Sequence, residues 1–358
     1  MSRRQTFREI SSIARNQPQF STSRSLAIHG DSLEVLRCLP DHSISLILTD
    51  PPYHSTRKDN IYGDTAFKED RHYLDWMGQY AVEWARILKP NGSLFCFCSP
   101  SMSGKLEGVF SSHFNILSHV VWTKPNDPGF DGWKQKMNKE SLRQWYDHSE
   151  RVIFAEPADH GNLHRSYFGN LLKKYRQMTG LSTIDVAGII GAYGKVNHGG
   201  AVSNWEAGRN VPSKEQYEQV KKTLIGTGKV QSMPDYEDVV RPFNVDKSVE
   251  FTDIWTFPNI RPYKGKHPAE KPIALLEHAI SATTFPDDIV LDCFAGSGST
   301  AVASLKQGRY SISIEIEEKW YAKICRLLQY IDDSHYKDFP NNYESMTIMS
   351  DNPRHRLL

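Results

Sequence analysis

The segment Ile289-Val290-Leu291-Asp292-Cys293-Phe294-Ala295-Gly296-Ser297-Gly298-Ser299-Thr300 constrains this chain most. It reads as a buried strand, a glycine loop and the start of a helix. Glycines let the backbone turn tightly and approach a ligand, and Ser299 and Thr300 are candidates to cap the helix. Tyr310 to Ile316 then reads as the next parallel strand, carrying Glu315 near its end. A carboxylate there can accept hydrogen bonds from both hydroxyls of a ribose. Gly296, Gly298 and Ala301 also satisfy a dinucleotide fingerprint, so a nicotinamide-dependent oxidoreductase stays open at this point. Only some forty residues follow Glu315, too few to complete a doubly wound sheet. The missing strands must come from the amino-terminal part of the chain.

That part supplies them. Leu26 to Asp31 reads as a short strand ending in an acid, and a helix through Leu33, Leu36 and Leu39 follows. The apolar run Ile44 to Thr49 is the next strand. A helix from Tyr73 to Leu88 stops at Lys89-Pro90-Asn91-Gly92, and Ser93 to Cys98, Ile116 to Trp122 and Arg151 to Phe154 are further strands. Setting the glycine strand ahead of these gives a circularly reordered α/β sheet. Its strand ends carry Asp292, Glu315 and Asp31 side by side, with Asp50 next, a row of carboxylates suited to a positively charged nucleoside.

Directly after Thr49 stands Asp50-Pro51-Pro52-Tyr53. It combines an acceptor, two residues with fixed φ and no N–H, and an aromatic face. Such a set can grip a planar ring bearing an exocyclic amine at the carboxyl end of a strand, where open α/β sheets place ligands. The plainer alternative is a surface turn.

With these parts in this order, the chain resembles the beta-class amino DNA methyltransferases, in which the catalytic tetrapeptide precedes the cofactor loop. The resemblance rests on Gly30-Asp31, Thr49 to Tyr53, Phe251 to Pro258, His267-Pro268-Ala269-Glu270-Lys271-Pro272 and Asp292 to Thr300. It implies a circularly permuted Rossmann-like fold that binds S-adenosylmethionine. The implied cofactor residues are Asp292, Phe294, Ala295, Gly296, Ser297, Gly298, Ser299 and Thr300 in the loop, with Glu315 on the ribose and Asp31 near the adenine amine. Lys271 and Pro272 would border the methionine end, and His267 belongs to a cofactor-proximal loop. Asp50, Pro51, Pro52 and Tyr53 are the implied catalytic residues. Aspartate at position 50 resembles adenine-N6 enzymes more than cytosine-N4 enzymes, and the cytosine alternative stays open. Cys293 departs from the pattern, where proline is common.

Residues 157–250 fall outside that resemblance. Leu171 to Gly180 is a basic amphipathic helix, Leu181 to Gly191 a second, and Val202 to Ser213 is followed by another from Lys214 to Leu224. This succession resembles helix-turn-helix domains of the Cro and lambda-repressor type, with a longer turn between Gly191 and Ala201. The implied role is a target-recognition insert, with Lys195, Asn197, His198, Ser203, Asn204 and Arg209 as candidate DNA contacts. Trp205 fits a buried face. A helical packing module without DNA contact is the plainer reading, and a repressor that keeps a methyltransferase-like body for DNA binding is a third class of function.

Five regions result: a basic arm at 1–25, catalytic parts at 26–156 and 251–335, the insert at 157–250 and a tail at 336–358. The net charge of +1 requires DNA attraction to come from local patches. One candidate is the arm with Arg3, Arg4, Arg8, Arg15 and Arg24, and another holds Lys134, Lys136, Lys139 and Arg143 among Trp133, Trp145 and Tyr146. A homodimer would cover part of these stretches. The five cysteines lack paired metal-ligand spacing, so no metal is expected and a reducing compartment is. No run resembles a membrane span or signal peptide, which points to the cytoplasm of a bacterial or phage-infected cell.

Overall fold

The computed structural model describes residues 2–54, 66–125, 140, 143, 145, 148–158, 167–192, 200–243, 251–261 and 263–333. Lys134, Lys136, Lys139, Trp133, Tyr146, Lys195, Asn197, His198 and the 336–358 tail lie outside them. In chain order the first half comprises α1 (Arg3–Ile13), β1 (Gln19–Ser21), β2 (Ser25–His29), α2 (Ser32–Cys38), β3 (Ile44–Thr49), α3 (Asp70–Ile87), β4 (Leu88–Cys98), α4 (Pro100–Phe110), β5 (Phe114–Thr123) and β6 (Ser149–Pro157). Then come the helices α5 (Tyr167–Thr179), α6 (Thr183–Ile189), α7 (Gly200–Glu206), α8 (Lys214–Gly226) and α9 (Tyr236–Val239). The chain returns through β7 (Ile254–Thr256), α10 (Ile273–Thr283), β8 (Ile289–Asp292), α11 (Ser299–Lys306), β9 (Tyr310–Glu315) and α12 (Glu318–Asp333).

The strands form one sheet in the order β1-β2-β9-β8-β3-β4-β6-β5-β7. From β2 to β4 every neighbour is parallel, while β6 is antiparallel to both β4 and β5. The strands β8 and β9 therefore sit between β2 and β3. Asp50 neighbours Asp292, at the opposite end of the acid row from Asp31, which corrects the order expected from sequence.

Strand alternation sorts the core into two faces. On β4, Leu94, Cys96 and Cys98 join the cluster under α1 to α4, whereas Phe95 and Phe97 face the cluster that includes α10. Both faces are covered, which explains why β3 is buried at all six positions. The basic arm folds as a helix on the body of the protein: α1 has a Ser2 capping box and buries Phe7 and Ile10, while Arg4, Arg8 and Arg15 are exposed. Arg3 pairs with Asp288 at 2.5 Å and Arg24 with Asp287 at 2.5 Å, so both are engaged within the protein.

The helices α5 to α8 pack around their own apolar cluster, including Phe168, Leu172, Val202, Trp205, Tyr217 and Leu224. Ser182 and Ser213 form capping boxes with Asp185 and Gln216, which fixes where α6 and α8 begin. Arg176 bridges α5 to α7 through both oxygens of Glu206, at 2.5 and 2.9 Å. The cluster joins the sheet through Asn91, whose amide donates to the carbonyls of Glu237 and Val240, and through an Arg241–Glu156 pair at 3.3 Å.

Candidate active site

A cavity of about 400 Å³ opens at the carboxyl ends of β2, β9, β8 and β3. Asp31, Asp50 to Tyr53, His267, Lys271, Asp292, Phe294 to Ser297, Ser299, Thr300 and Glu315 all line it. The fold thus brings together residues separated by more than 200 positions in sequence. Of the other expected residues, Gly298 is the N-cap of α11 and Pro272 the N-cap of α10, both adjoining lining residues. Ser203, Asn204 and Arg209 lie elsewhere, on α7 and the turn after it. Ser203 and Asn204 are half-buried, and exposed Arg209 donates to Asn204 Oδ1 at 3.1 Å. Arg143 is exposed, and so is neighbouring Trp145.

The glycine loop is built on two left-handed residues, Gly296 at φ 50° and Gly298 at φ 83°. A Cβ on Gly296 would come within 3.0 Å of His267, and one on Gly298 within 3.1 Å of Ile324. Only glycine serves at either position. Ser299 and Thr300 do not cap α11 as expected; they are its first two residues, and no side chain caps it. Its amino end is therefore free to meet a negative group.

Glu315 holds the loop from beneath. Its carboxylate accepts from the Gly296 N–H at 2.7 Å and the Glu317 N–H at 2.8 Å, and burial raises its pKa despite those donors. Asp292 accepts from Thr49 Oγ1 at 2.9 Å and the Phe294 N–H at 3.1 Å, which ties β8 to the end of β3. Asp31 is exposed and caps α2 through the Leu33 N–H. His267 Nδ1 accepts from the Ala269 N–H at 3.2 Å, and its ring meets Trp320 edge-on at 4.5 Å. Burial, with Lys271 and other lysines nearby, lowers its pKa to about 3, so the ring is neutral at physiological pH.

At the Asp50 end, Lys271 donates to Asp50 Oδ2, and its ammonium lies 3.4 Å from Glu150 Oε2. Tyr53 donates its hydroxyl to the same Glu150 oxygen at 2.9 Å, and Lys124 binds the other oxygen. Burial is the largest influence on Asp50 and raises its pKa to about 6, with Lys271 opposing and Glu150 reinforcing the rise. Burial also opposes ionisation of Glu150, but Lys271 and Lys124 overcome it and hold the carboxyl down to about 2. Asp50 Oδ1 is buried and has no hydrogen-bond partner among the described residues.

Sequence reading missed Glu150, and it missed the aromatic wall of Phe67, Trp76 and Tyr80 that closes the cavity beside Phe294. The i, i+4 spacing of Trp76 and Tyr80 on α3 was the available signal for the wall. Glu150 gave none, since an acid opening a strand is unremarkable until the strand's neighbours are known.

This architecture is that of a DNA methyltransferase fold. A solved structure titled PvuII DNA methyltransferase (cytosine-N4-specific) superposes with a TM-score of 0.52, covering 94% of each chain at 18% identity. The sequence matches the N6/N4 DNA methylase family over residues 44–326, and the chain belongs to that family. Relatives include the DNA adenine methyltransferase YhdJ of Escherichia coli, 27% identical over 89% of this chain and 86% of the relative. The type II methyltransferase M2.MboI of Moraxella bovis is 33% identical over 80% and 81% of the two chains. Family membership sets aside the nicotinamide-dependent reading of the glycine loop.

Proposed function

We propose that this enzyme methylates the exocyclic N6 amine of an adenine turned out of duplex DNA, using S-adenosylmethionine. The observation that carries this reading is Asp50 Oδ1 on the cavity wall, without a hydrogen-bond partner among the described residues, beside two prolines that remove competing N–H donors and a tyrosine ring. A buried acceptor without a donor is costly, and an amine N–H supplied by substrate removes that cost. The relative named a DNA adenine methyltransferase supports the choice of base, as does aspartate at position 50.

The residues present fit the cofactor. The uncapped amino end of α11 suits the methionine carboxylate, Glu315 the ribose hydroxyls and Asp31 the adenine amine, with Asp292, His267, Lys271, Pro272 and the loop from Phe294 to Thr300 as the remaining contacts. When bound, S-adenosylmethionine supplies a sulfonium methyl that passes to an amine lone pair while sulfur keeps the carbon–sulfur electrons. The protein's part is placement. Asp50 Oδ1 and the Pro51 carbonyl accept the two amine N–H bonds, which leaves the nitrogen lone pair free to pyramidalise toward the cavity. Asp50 then takes the proton the methylated amine must lose. Extruding a base costs a few kcal/mol. Stacking on Tyr53 offsets about 1–3 kcal/mol of that.

The sheet order supports reading the fold as circularly permuted, with the glycine-loop half following the tetrapeptide half. The unit from α5 to α8 is the inserted target-recognition domain in this reading. Its α7 supplies Ser203 and Asn204, with Arg209 just beyond, to a DNA groove. The enzyme works in the bacterial cytoplasm.

The test is incubation with labelled S-adenosylmethionine and unmethylated DNA, digestion to nucleosides and identification of the product by mass, followed by mapping of methylated positions. N6-methyladenine within a fixed sequence context is the expected result. N4-methylcytosine, the reaction named for the PvuII enzyme, would overturn the base assignment. Methylation without sequence context would overturn the role of the helical unit.

A further inference from the structure

We propose that Glu150 is a positioning residue for methyl transfer: it is the second acceptor to which the Lys271 ammonium turns when the target amine engages Asp50, and it anchors the Tyr53 ring against which the base stacks. This inference rests on the reading of Asp50 as the amine acceptor.

The geometry is a short chain of charges across the sheet. Asp50 and Tyr53 follow β3, Glu150 belongs to β6 two strands away, and Lys271 enters from the loop before α10. The Lys271 side chain is only 8% exposed. Its ammonium binds Asp50, lies 3.4 Å from Glu150 and faces the rings of Phe97 at 5.1 Å and Tyr53 at 5.5 Å. A buried ammonium needs an acceptor at every stage. Lys271 holds Asp50 Oδ2 and also donates to the Ala269 carbonyl at 3.3 Å, and Glu150 Oε2 is the further carboxylate oxygen within its reach. Glu150 lets the ammonium lean away as Asp50 takes the amine on Oδ1 and then accepts its proton.

Charge balance supports the same assignment. Lys271 and Lys124 offset Asp50 and Glu150, so the half-buried quartet is neutral before the reaction. Lys124 is held over the Trp122 ring at 4.5 Å. After transfer, the amine's surplus proton passes to Asp50 and from there to solvent; Lys271 stays protonated throughout because Glu150 keeps its charge. Tyr53, Cys98 and Cys96 also face Asp50, all with pKa values raised by burial, so they remain neutral at pH 7. Asp292 and His267 both feel Lys271 from the cofactor side.

The experiment compares wild type with Glu150→Gln, Glu150→Asp and Tyr53→Phe in kcat, KM for DNA and the pH profile of kcat, using Asp50→Ala as the reference. Glu150→Gln should lower kcat by roughly tenfold to a hundredfold, the scale of a misplaced reacting group. It should also move the acid limb to lower pH, because the carboxylate that raises Asp50 is gone. Glu150→Asp should leave the limb in place and recover part of the rate. Tyr53→Phe should weaken DNA use and move the limb to higher pH, the direction opposite to Glu150→Gln, because the lost hydroxyl favours the ionised Asp50. A carbon-13 titration of Asp50 in the protein alone gives the same comparison without turnover, and thermal melting identifies a variant that fails to fold.

An unchanged acid limb and Asp50 titration in folded Glu150→Gln would overturn the proposal, as would equal rate losses in Gln and Asp with both limbs fixed. If Asp50→Ala keeps wild-type activity, the reading of Asp50 itself fails, an outcome distinct from either of these.

Discussion

Asp50 is a half-buried carboxylate with one oxygen held by Lys271 and the other, buried Oδ1, without a hydrogen-bond partner among the described residues. That division of labour predicts that Asp50→Ala abolishes methyl transfer while S-adenosylmethionine still binds, as calorimetry on the variant would establish. The same residue sets the expected pH dependence. Its pKa is raised to about 6, and the acceptor role needs the ionised form, so kcat should be full above that value and fall as pH drops through it. His267 does not compete for this assignment, since its pKa is lowered to about 3. An acid limb that persists unchanged in His267→Gln is the check. At this scale the sequence was informative where a residue type has few uses: the tetrapeptide was legible, and so was Glu315. Lys271 was expected beside the cofactor, and it does line the cavity, but its ammonium is engaged by Asp50 and Glu150. Nothing local in Lys271-Pro272 foretells a partner 221 positions away.

Among the elements, the strand-loop-helix unit of β8 and α11 carries most of the site. Its left-handed glycines were readable from composition, but the capping arrangement was not. Sequence offered Ser299 and Thr300 as caps, whereas Gly298 takes that place and leaves the helix end open. Placing alanine at 298 forces a side chain into φ 83° and against Ile324, a strain of about 1–2 kcal/mol. Gly298→Ala should therefore weaken S-adenosylmethionine binding by about tenfold with the fold retained, measured by calorimetry beside a thermal melt. The helices α5 to α8 were legible for a different reason. Apolar spacing is a local signal, so the helix positions and buried Trp205 could be read directly. The close approach of α5 to α7 could not. A Cβ on Gly169 would fall 2.7 Å from the Trp205 carbonyl, a contact created entirely by packing.

For the whole molecule, the amino-terminal helix is the main addition to the sequence reading. Arg4, Arg8 and Arg15 are exposed, while Ile10 is fully buried and Phe7 stacks on Tyr310 at 4.7 Å. The helix thus clamps the amino-terminal end of the chain onto β9, far along the sequence. Ile10→Ala should destabilise the protein by about 2–5 kcal/mol, visible as a lowered melting temperature, with DNA affinity of the folded fraction unchanged. A loss of DNA affinity without a loss of stability would give the arm a binding role. The sequence by itself pointed to strands in both halves of the chain, because Leu26 to Asp31, Ile44 to Thr49 and Ile289 to Asp292 each carry strand character of their own. It also determined the glycine loop, the tetrapeptide and the helices that follow β6, since turns, caps and periodicity are local properties of the backbone. Only the tertiary structure decided that Asp50 stands beside Asp292, that Glu150 and Lys271 share its charge, and that α1 is part of the core. Those are facts of burial and electrostatics between distant segments, and a buried charge acquires its partner only when strand order has been fixed.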